Sequence, residues 1–161
     1  MLSNTDGDRN QQPRRPRDRI RIDKTHHPTY IALTKPRENE NHQELSPFES
    51  MKNIFMLSVF IGYNEKKRIP LGKDKEMIFA WARFSPEEDV PLLRALALAE
   101  TEDVEVLTDQ DQILTIAEEY ANGGIREIQK QVEDMPGDRI TNLVDLLFNW
   151  YPYNRLVSTV S

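Results

Sequence analysis

From residue 46 onward, apolar side chains recur at intervals of three and four, the spacing that gathers them on one face of an α-helix. Ser46-Pro47-Phe48-Glu49 supplies a hydroxyl for an N-cap, a proline where a missing N–H costs nothing, and a carboxylate three residues after the cap. It predicts a helix that turns Met51, Ile54, Phe55, Val59 and Ile61 inward, with Gly62 as a left-handed stop. Ser85-Pro86-Glu87-Glu88 repeats the device and opens a helix through Leu92, Leu93, Leu96, Ala97 and Ala99 to about Glu100. Pro91 lies inside its second turn, so either the helix starts at Val90 or its first turn is separate. A third helix starts near Asp109, carries Ile113, Ile116, Ala117 and Tyr120 on one face, and is expected to end at Asn122-Gly123-Gly124. Ile125, Ile128 and Val132 mark a fourth, closed by Met135-Pro136-Gly137; Ile140, Leu143, Val144, Leu147 and Trp150 mark a fifth, closed by Pro152.

Two stretches break this rhythm. Arg19-Ile20-Arg21-Ile22-Asp23 alternates polar and apolar residues, which suits a short strand or a segment docked on the body. Within residues 63–84, Ile69-Pro70-Leu71 and Met77-Ile78-Phe79-Ala80-Trp81-Ala82 read as two extended segments around Gly72-Lys73-Asp74, or as a loop followed by a short buried helix. Periodicity leaves both open, and the extended pair is the adopted expectation. The resulting fold class is mainly α: a compact bundle of about five helices, antiparallel where connections are short, with a short hairpin or extended pair near residues 66–84. The expected organisation is a basic, disordered arm over residues 1–24, a linker or partly docked segment over 25–45, a helical domain over 46–151, and a C-terminal tail over 152–161.

Length and composition narrow the picture. A chain of 161 residues, 38% hydrophobic and 30% charged, accommodates one domain of the usual size, roughly 100–150 residues, plus a tail. There is no cysteine, which excludes a disulfide scaffold and thiolate metal sites and fits a reducing, cytoplasmic setting. The longest apolar stretch, Ile54 to Ile61, is far short of the roughly 20 residues of a bilayer span, and no apolar leader precedes the body, so no membrane partner is expected. The net charge of −6 conceals a division: residues 1–37 hold nine Lys or Arg and four Asp, whereas residues 38–161 hold twelve against twenty-three. Arg14, Arg15, Arg17, Arg19 and Arg21 could each neutralise a phosphate, and five such contacts would give a log-log salt slope of about −4 to −5 on duplex DNA. Lys66-Lys67-Arg68 forms a second basic patch. Charge identifies a sign and not a partner, and an acidic protein surface, within the chain or outside it, competes with DNA for the arm.

The residue inventory restricts catalysis. His26, His27 and His42 all lie in or beside the arm, so neither a Ser–His nor a Cys–His nucleophile pair assembles inside the helical domain. His26-His27 reads as an incidental pair, not a metal site. Gly123-Gly124 lacks the spacing and the Lys-Ser/Thr of a phosphate loop. Glu118-Glu119 could bind a divalent cation or serve acid–base chemistry, but neighbours on a helix point about 100° apart and form no dyad by themselves. The plainer reading is a solvated helical face beside a buried Tyr120. The acidic run Glu102, Asp103, Glu105, Asp109 and Asp111 lacks the glycine and ligand spacing of a calcium loop. No cofactor and no metal is expected. Phe148, Trp150, Tyr151 and Tyr153 make the C-terminal end unusually aromatic; Trp150, Tyr151 and Tyr153, together with Tyr63, are candidate partner-binding residues, against the alternative that Phe148 and Trp150 complete the core.

Read in order, Asn53-Ile54-Phe55-Met56-Leu57-Ser58-Val59-Phe60-Ile61-Gly62-Tyr63, Arg68-Ile69-Pro70-Leu71, Ala97-Leu98-Ala99 and Glu118-Glu119-Tyr120-Ala121-Asn122-Gly123-Gly124-Ile125 form a familiar series. The chain resembles the family called DNA phosphorothioation-associated protein 4, also described as dnd system-associated protein 4. The likeness covers about residues 45–135, and its most specific piece is Glu118, Glu119, Tyr120, Asn122, Gly123 and Gly124. The resemblance implies bacterial antiphage defence, beside systems that place sulfur in the DNA backbone and restrict unmodified phage DNA. It brings no catalytic residue with it.

The expected function is therefore a noncatalytic accessory or regulatory subunit that docks on a larger ATPase or nuclease component. The alternative is a nonspecific DNA-binding accessory using the arginine-rich arm. A metal-dependent hydrolase centred on Glu118 and Glu119 is the least favoured.

Overall fold

The computed structural model describes residues 14–38 and 43–150. It is mainly helical, with five α-helices and a small antiparallel sheet. Strand β1 (Arg19–Asp23) leads through a 3-10 turn into helix α1 (His27–Leu33), then the two-residue strands β2 (Arg37–Glu38) and β3 (Gln43–Glu44). Helix α2 (Met51–Asn64), strand β4 (Lys75–Ala80), helix α3 (Asp89–Thr101), helix α4 (Gln110–Ile128) and helix α5 (Arg139–Trp150) follow. The core is a single cluster centred where α2 lies on α4, lined by Ile54, Phe55, Val59, Leu114, Ala117, Ala121 and Ile125 among others.

Several predicted boundaries shift for identifiable reasons. Helix α2 begins at Met51, because Ser50 and not Ser46 is the N-cap: its backbone is extended and its side chain accepts from the Asn53 N–H. The Ser46 hydroxyl instead donates to the Phe48 and Leu33 carbonyls, at 2.6 and 3.2 Å, fastening the chain to the end of α1. At residues 85–89 the first turn is separate: Ser85 Oγ accepts from the Glu88 N–H at 3.2 Å, the Asp89 carboxylate accepts from the Ser85 N–H at 2.8 Å, and α3 starts at Asp89. The start of α4 is as read, with the Asp109 side chain accepting from the Gln112 N–H at 3.0 Å.

The predicted stops at Gly62 and Gly123-Gly124 are overturned. Both lie inside helices; α2 runs on to Asn64, and α4 runs on to Ile128 and a π-turn over Gln129–Glu133, so the third and fourth predicted helices are one element. The stop at Met135-Pro136-Gly137 holds, Gly137 taking φ +101°. Residues 25–45, read as a linker or partly docked segment, contain α1, β2 and β3.

The sheet also differs from the expected local pair. Strand β4 pairs antiparallel with β1, from Arg19 opposite Ala80 to Asp23 opposite Lys75, while residues 69 and 70 hydrogen-bond to α4. Alternation in residues 19–23 therefore marks a true strand: Ile20 and Ile22 are buried under the sheet. Assigning residues 19–24 to a disordered arm is corrected accordingly; residues 1–13 lie outside the described residues.

Candidate functional site

Helix α4 carries Glu118 to Gly124 through the middle of the molecule, and nearly every polar or small residue of that segment meets another part of the chain. The α2–α4 crossing comes first, because it sets the spacing of everything else. A Cβ on Gly124 would stand 1.9 Å from the Ser58 carbonyl oxygen, one on Gly62 would stand 2.0 Å from that of Tyr120, and one on Gly123 would stand 1.8 Å from that of Lys67. Any side chain at these positions forces backbone apart, so the glycines are required by proximity and not by a left-handed turn. Ser58, buried at the crossing, donates to the Ile54 carbonyl at 2.7 Å within its own helix.

Glu118 is 2% exposed, which excludes the solvated-face reading. Its carboxylate accepts from Arg17 Nη1 at 3.1 and 3.0 Å, from the Arg21 N–H at 2.8 Å and from Arg21 Nη2 at 3.4 Å. Arg17 is held further by its N–H on Asp111 Oδ1 at 2.6 Å and by Nη2 on the Asp111 carbonyl and Thr115 Oγ1, at 3.1 and 3.0 Å; Gln110 Nε2 donates to the Arg17 carbonyl at 2.5 Å. A buried carboxylate is tolerable only when paired and hydrogen-bonded, and here two guanidinium groups and a backbone N–H meet that demand. Glu119 faces a different neighbour, accepting from Arg68 Nε at 2.6 Å, and Arg68 Nη1 reaches Glu100 at 2.8 Å. The adjacent carboxylates are thus spoken for by separate cations.

Tyr120 donates its hydroxyl to Glu100 Oε2 in a short contact and meets the Tyr63 ring edge-on, centroids 5.4 Å apart. Burial, followed by the hydrogen bond to the Glu100 carboxylate, pushes the Tyr120 phenol up to about 12. The same hydrogen bond, with the Arg68 guanidinium, holds the Glu100 carboxyl below its ordinary value. Asn122 donates from Nδ2 to the Ile69 and Pro70 carbonyls, at 3.2 and 3.1 Å, and the Glu119 carbonyl accepts from the Ile69 N–H at 3.0 Å, so residues 69–70 lie along α4.

A second ionic cluster, which sequence reading missed, joins the other end of the molecule. Arg139, 2% exposed, donates to the Ala32 and Lys35 carbonyls at 2.7 and 3.0 Å and stands 3.5 and 3.6 Å from Glu44 and Glu133. Arg37 pairs with the same two carboxylates, at 3.7 and 3.1 Å. An arginine opening an amphipathic helix looks solvent-facing in sequence, so nothing local signalled its burial.

The expected phosphate-binding set is divided. Arg17, Arg21 and Arg68 are engaged with carboxylates of the chain itself, whereas Arg14, Arg15, Arg19, Lys66 and Lys67 remain exposed. Of the aromatic candidates, Tyr63 is 41% exposed and Trp150 packs partly buried against the core; Phe148, which the core-completing alternative placed inside, is 64% exposed. Tyr151 and Tyr153 lie outside the described residues. Among the described residues no three His, Cys, Asp or Glu side chains converge as metal ligands, and no helix is long and apolar enough to cross a membrane.

Fold and site define a small, mainly helical protein whose most distinctive segment braces the rest of the chain. The chain belongs to the family of DNA sulphur modification system-associated protein 4, whose sequence profile matches residues 19–151. The match bears out the resemblance seen over residues 45–135, and in character over residues 19–24, and extends it through α5. Neither a curated protein nor a solved structure matches. The family description associates the chain with a DNA sulphur modification system.

Proposed function

We propose that this chain is a noncatalytic accessory or regulatory subunit of a DNA sulphur modification system, in the setting of bacterial antiphage defence, and acts in the cytoplasm by docking on a larger ATPase or nuclease component. The observation that carries the reading is the internal engagement of Glu118, Glu119, Tyr120, Asn122, Gly123 and Gly124. A catalytic carboxylate must be free to exchange a proton; Glu118 and Glu119, although both border a cavity of about 110 Å³, are paired with guanidinium groups of their own chain. A segment engaged in this way serves a shape, and a shape serves a partner. Coexpression of the tagged chain with the proteins of the modification system tests it. One of them is expected to copurify at low and moderate salt, and elution of the chain alone under both conditions defeats the proposal.

Exposure of Arg14, Arg15 and Arg19 favours one second reading, a DNA-binding accessory. With Arg17 and Arg21 engaged elsewhere, three arginine–phosphate contacts predict a salt slope of about −3. Binding of phosphorothioated and ordinary duplexes, followed against salt with and without substitution of these arginines, checks that figure.

A further inference from the structure

Between the end of the sheet and the start of α2 lies a cleft of about 570 Å³, lined by Arg19, Ser50, Met51, Lys52, Ile78, Phe79, Ala80 and Arg83. Its position follows from an irregularity in the sheet. Ile20 lies opposite Phe79 and Arg21 opposite Met77, so Ile78 is an extra residue on β4 with no counterpart on β1. Successive strand residues normally face opposite sides. Here Ile78, Phe79 and Ala80 all line the same cleft, as a bulge that re-aims side chains permits. Phe79 is braced from behind, edge-on to Phe55 at 5.7 Å and to Phe84 at 5.3 Å, so the apolar floor is fixed by the core.

The charged lining has one sign. Lys52 is held by Asp89 at 2.6 Å, and among the described residues no carboxylate lines the cleft. Arg19 and Arg83 are exposed and have no ion pair among the described residues. This sets them apart from Arg17, Arg21, Arg37, Arg68 and Arg139, each of which meets a carboxylate.

We propose that this cleft receives an acidic segment of a partner protein, an apolar side chain settling on Met51, Ile78 and Phe79 between carboxylates that reach Arg19 and Arg83. The inference rests on the docking function above and names the chemistry of the docked element. An apolar floor flanked by guanidinium groups suits an apolar anchor beside carboxylates, which arginine can grip in a bidentate manner. A duplex backbone offers phosphates but no side chain for the floor.

The full chain is tested by fluorescence anisotropy with short overlapping peptides from the coexpressed modification-system proteins and with an oligothymidine as the nucleic-acid probe. Peptides that pair an apolar residue with Asp or Glu are expected to bind. Affinity should fall roughly tenfold or more in the Arg19→Gln, Arg83→Gln double variant and stay unchanged in Lys66→Gln, Lys67→Gln. Because Arg19 lies in β1, Arg83→Glu alone serves as the second variant, with melting temperature as the control for folding. The proposal fails if bound peptides lack carboxylates, if neither arginine variant weakens them, if no peptide binds, or if oligothymidine takes the site through the same two arginines. Copurification separates the two levels: a double variant that still copurifies with its partner removes the cleft and leaves docking standing, whereas a wild type that copurifies with nothing removes docking itself.

Discussion

The α2–α4 crossing and the seat of Glu118 lie within two turns of each other on one helix, yet they hold the fold by opposite means. At the crossing the helices meet because atoms are missing: Gly62 and Gly124 bring backbone against backbone, and a Cβ at either would fall about 2 Å from a carbonyl oxygen of the other helix. At Glu118 the segment before and within β1 is held because charges are present and matched, one carboxylate against Arg17 and Arg21. Sterics of the first kind tolerate no substitute. Electrostatics of the second kind can be exchanged as a set, because a buried ion pair contributes little net stability against an apolar replacement but costs much when only one partner is removed. A run of neighbouring residues in sequence thus combines a spatial requirement with a chemical one.

The largest effect is expected at the crossing. Gly124→Val should abolish the cooperative transition in urea, or lower stability by more than about 4 kcal/mol, because only movement of the α2 backbone can relieve the clash. A Gly124→Val protein with wild-type melting would mean that the two helices stand further apart than the 1.9 Å approach to the Ser58 carbonyl requires. Gly123→Val should also destabilise, through its contact with the Lys67 carbonyl. Glu118→Ala comes next, at about 3–5 kcal/mol, since it strands two guanidinium groups. Here the comparison sharpens: changing Arg17, Arg21 and Glu118 together to methionine should recover most of that loss, whereas no partner substitution on α2 rescues Gly124→Val. Circular dichroism melts of the single and triple variants read both outcomes.

Smaller effects are expected at the helix starts. Ser50→Ala and Asp109→Ala each remove a side-chain cap and should cost about 1 kcal/mol, while Ser46→Ala should leave α2 intact and weaken only its tie to α1. The smallest is a pH effect. Burial of His26, followed by the Arg126 charge, lowers its pKa below the ordinary 6.5, with Asp23 opposing. The unfolded chain then binds the proton first, so stability is full above that pH and declines as pH falls from about 6.5 toward the folded value. His26→Asn should flatten this part of the stability profile. A further loss is expected in more acidic solution as Glu100, held low by Tyr120 and Arg68, takes up its proton.

Helical character, the α4 start and the stop at Gly137 were legible in the sequence, because caps and apolar spacing act over a few residues. The strand at Arg19–Asp23 was legible from alternation, but its partner was not, since β4 lies more than fifty residues away and the nearer residues 69–71 offered a local alternative. Gly62 and Gly123-Gly124 were misread because a glycine required by a turn and one required by a neighbouring backbone look identical until the neighbour is placed. Glu118 was singled out but placed in solvent; its burial depends on arginines about a hundred residues earlier. Helix α1 opens on His27-Pro28 without a side-chain cap and spans seven residues, too short for a clear period.

The pairing of Arg17 with Glu118 carries the architectural half of the account, and a double-mutant cycle in urea addresses it directly. Arg17→Met, Glu118→Met and the double variant should give a coupling energy above about 1.5 kcal/mol, the first change costing far less once the second is present. Effects that add within about 0.5 kcal/mol would mean that the carboxylate is not engaged by this arginine and is held for some other purpose.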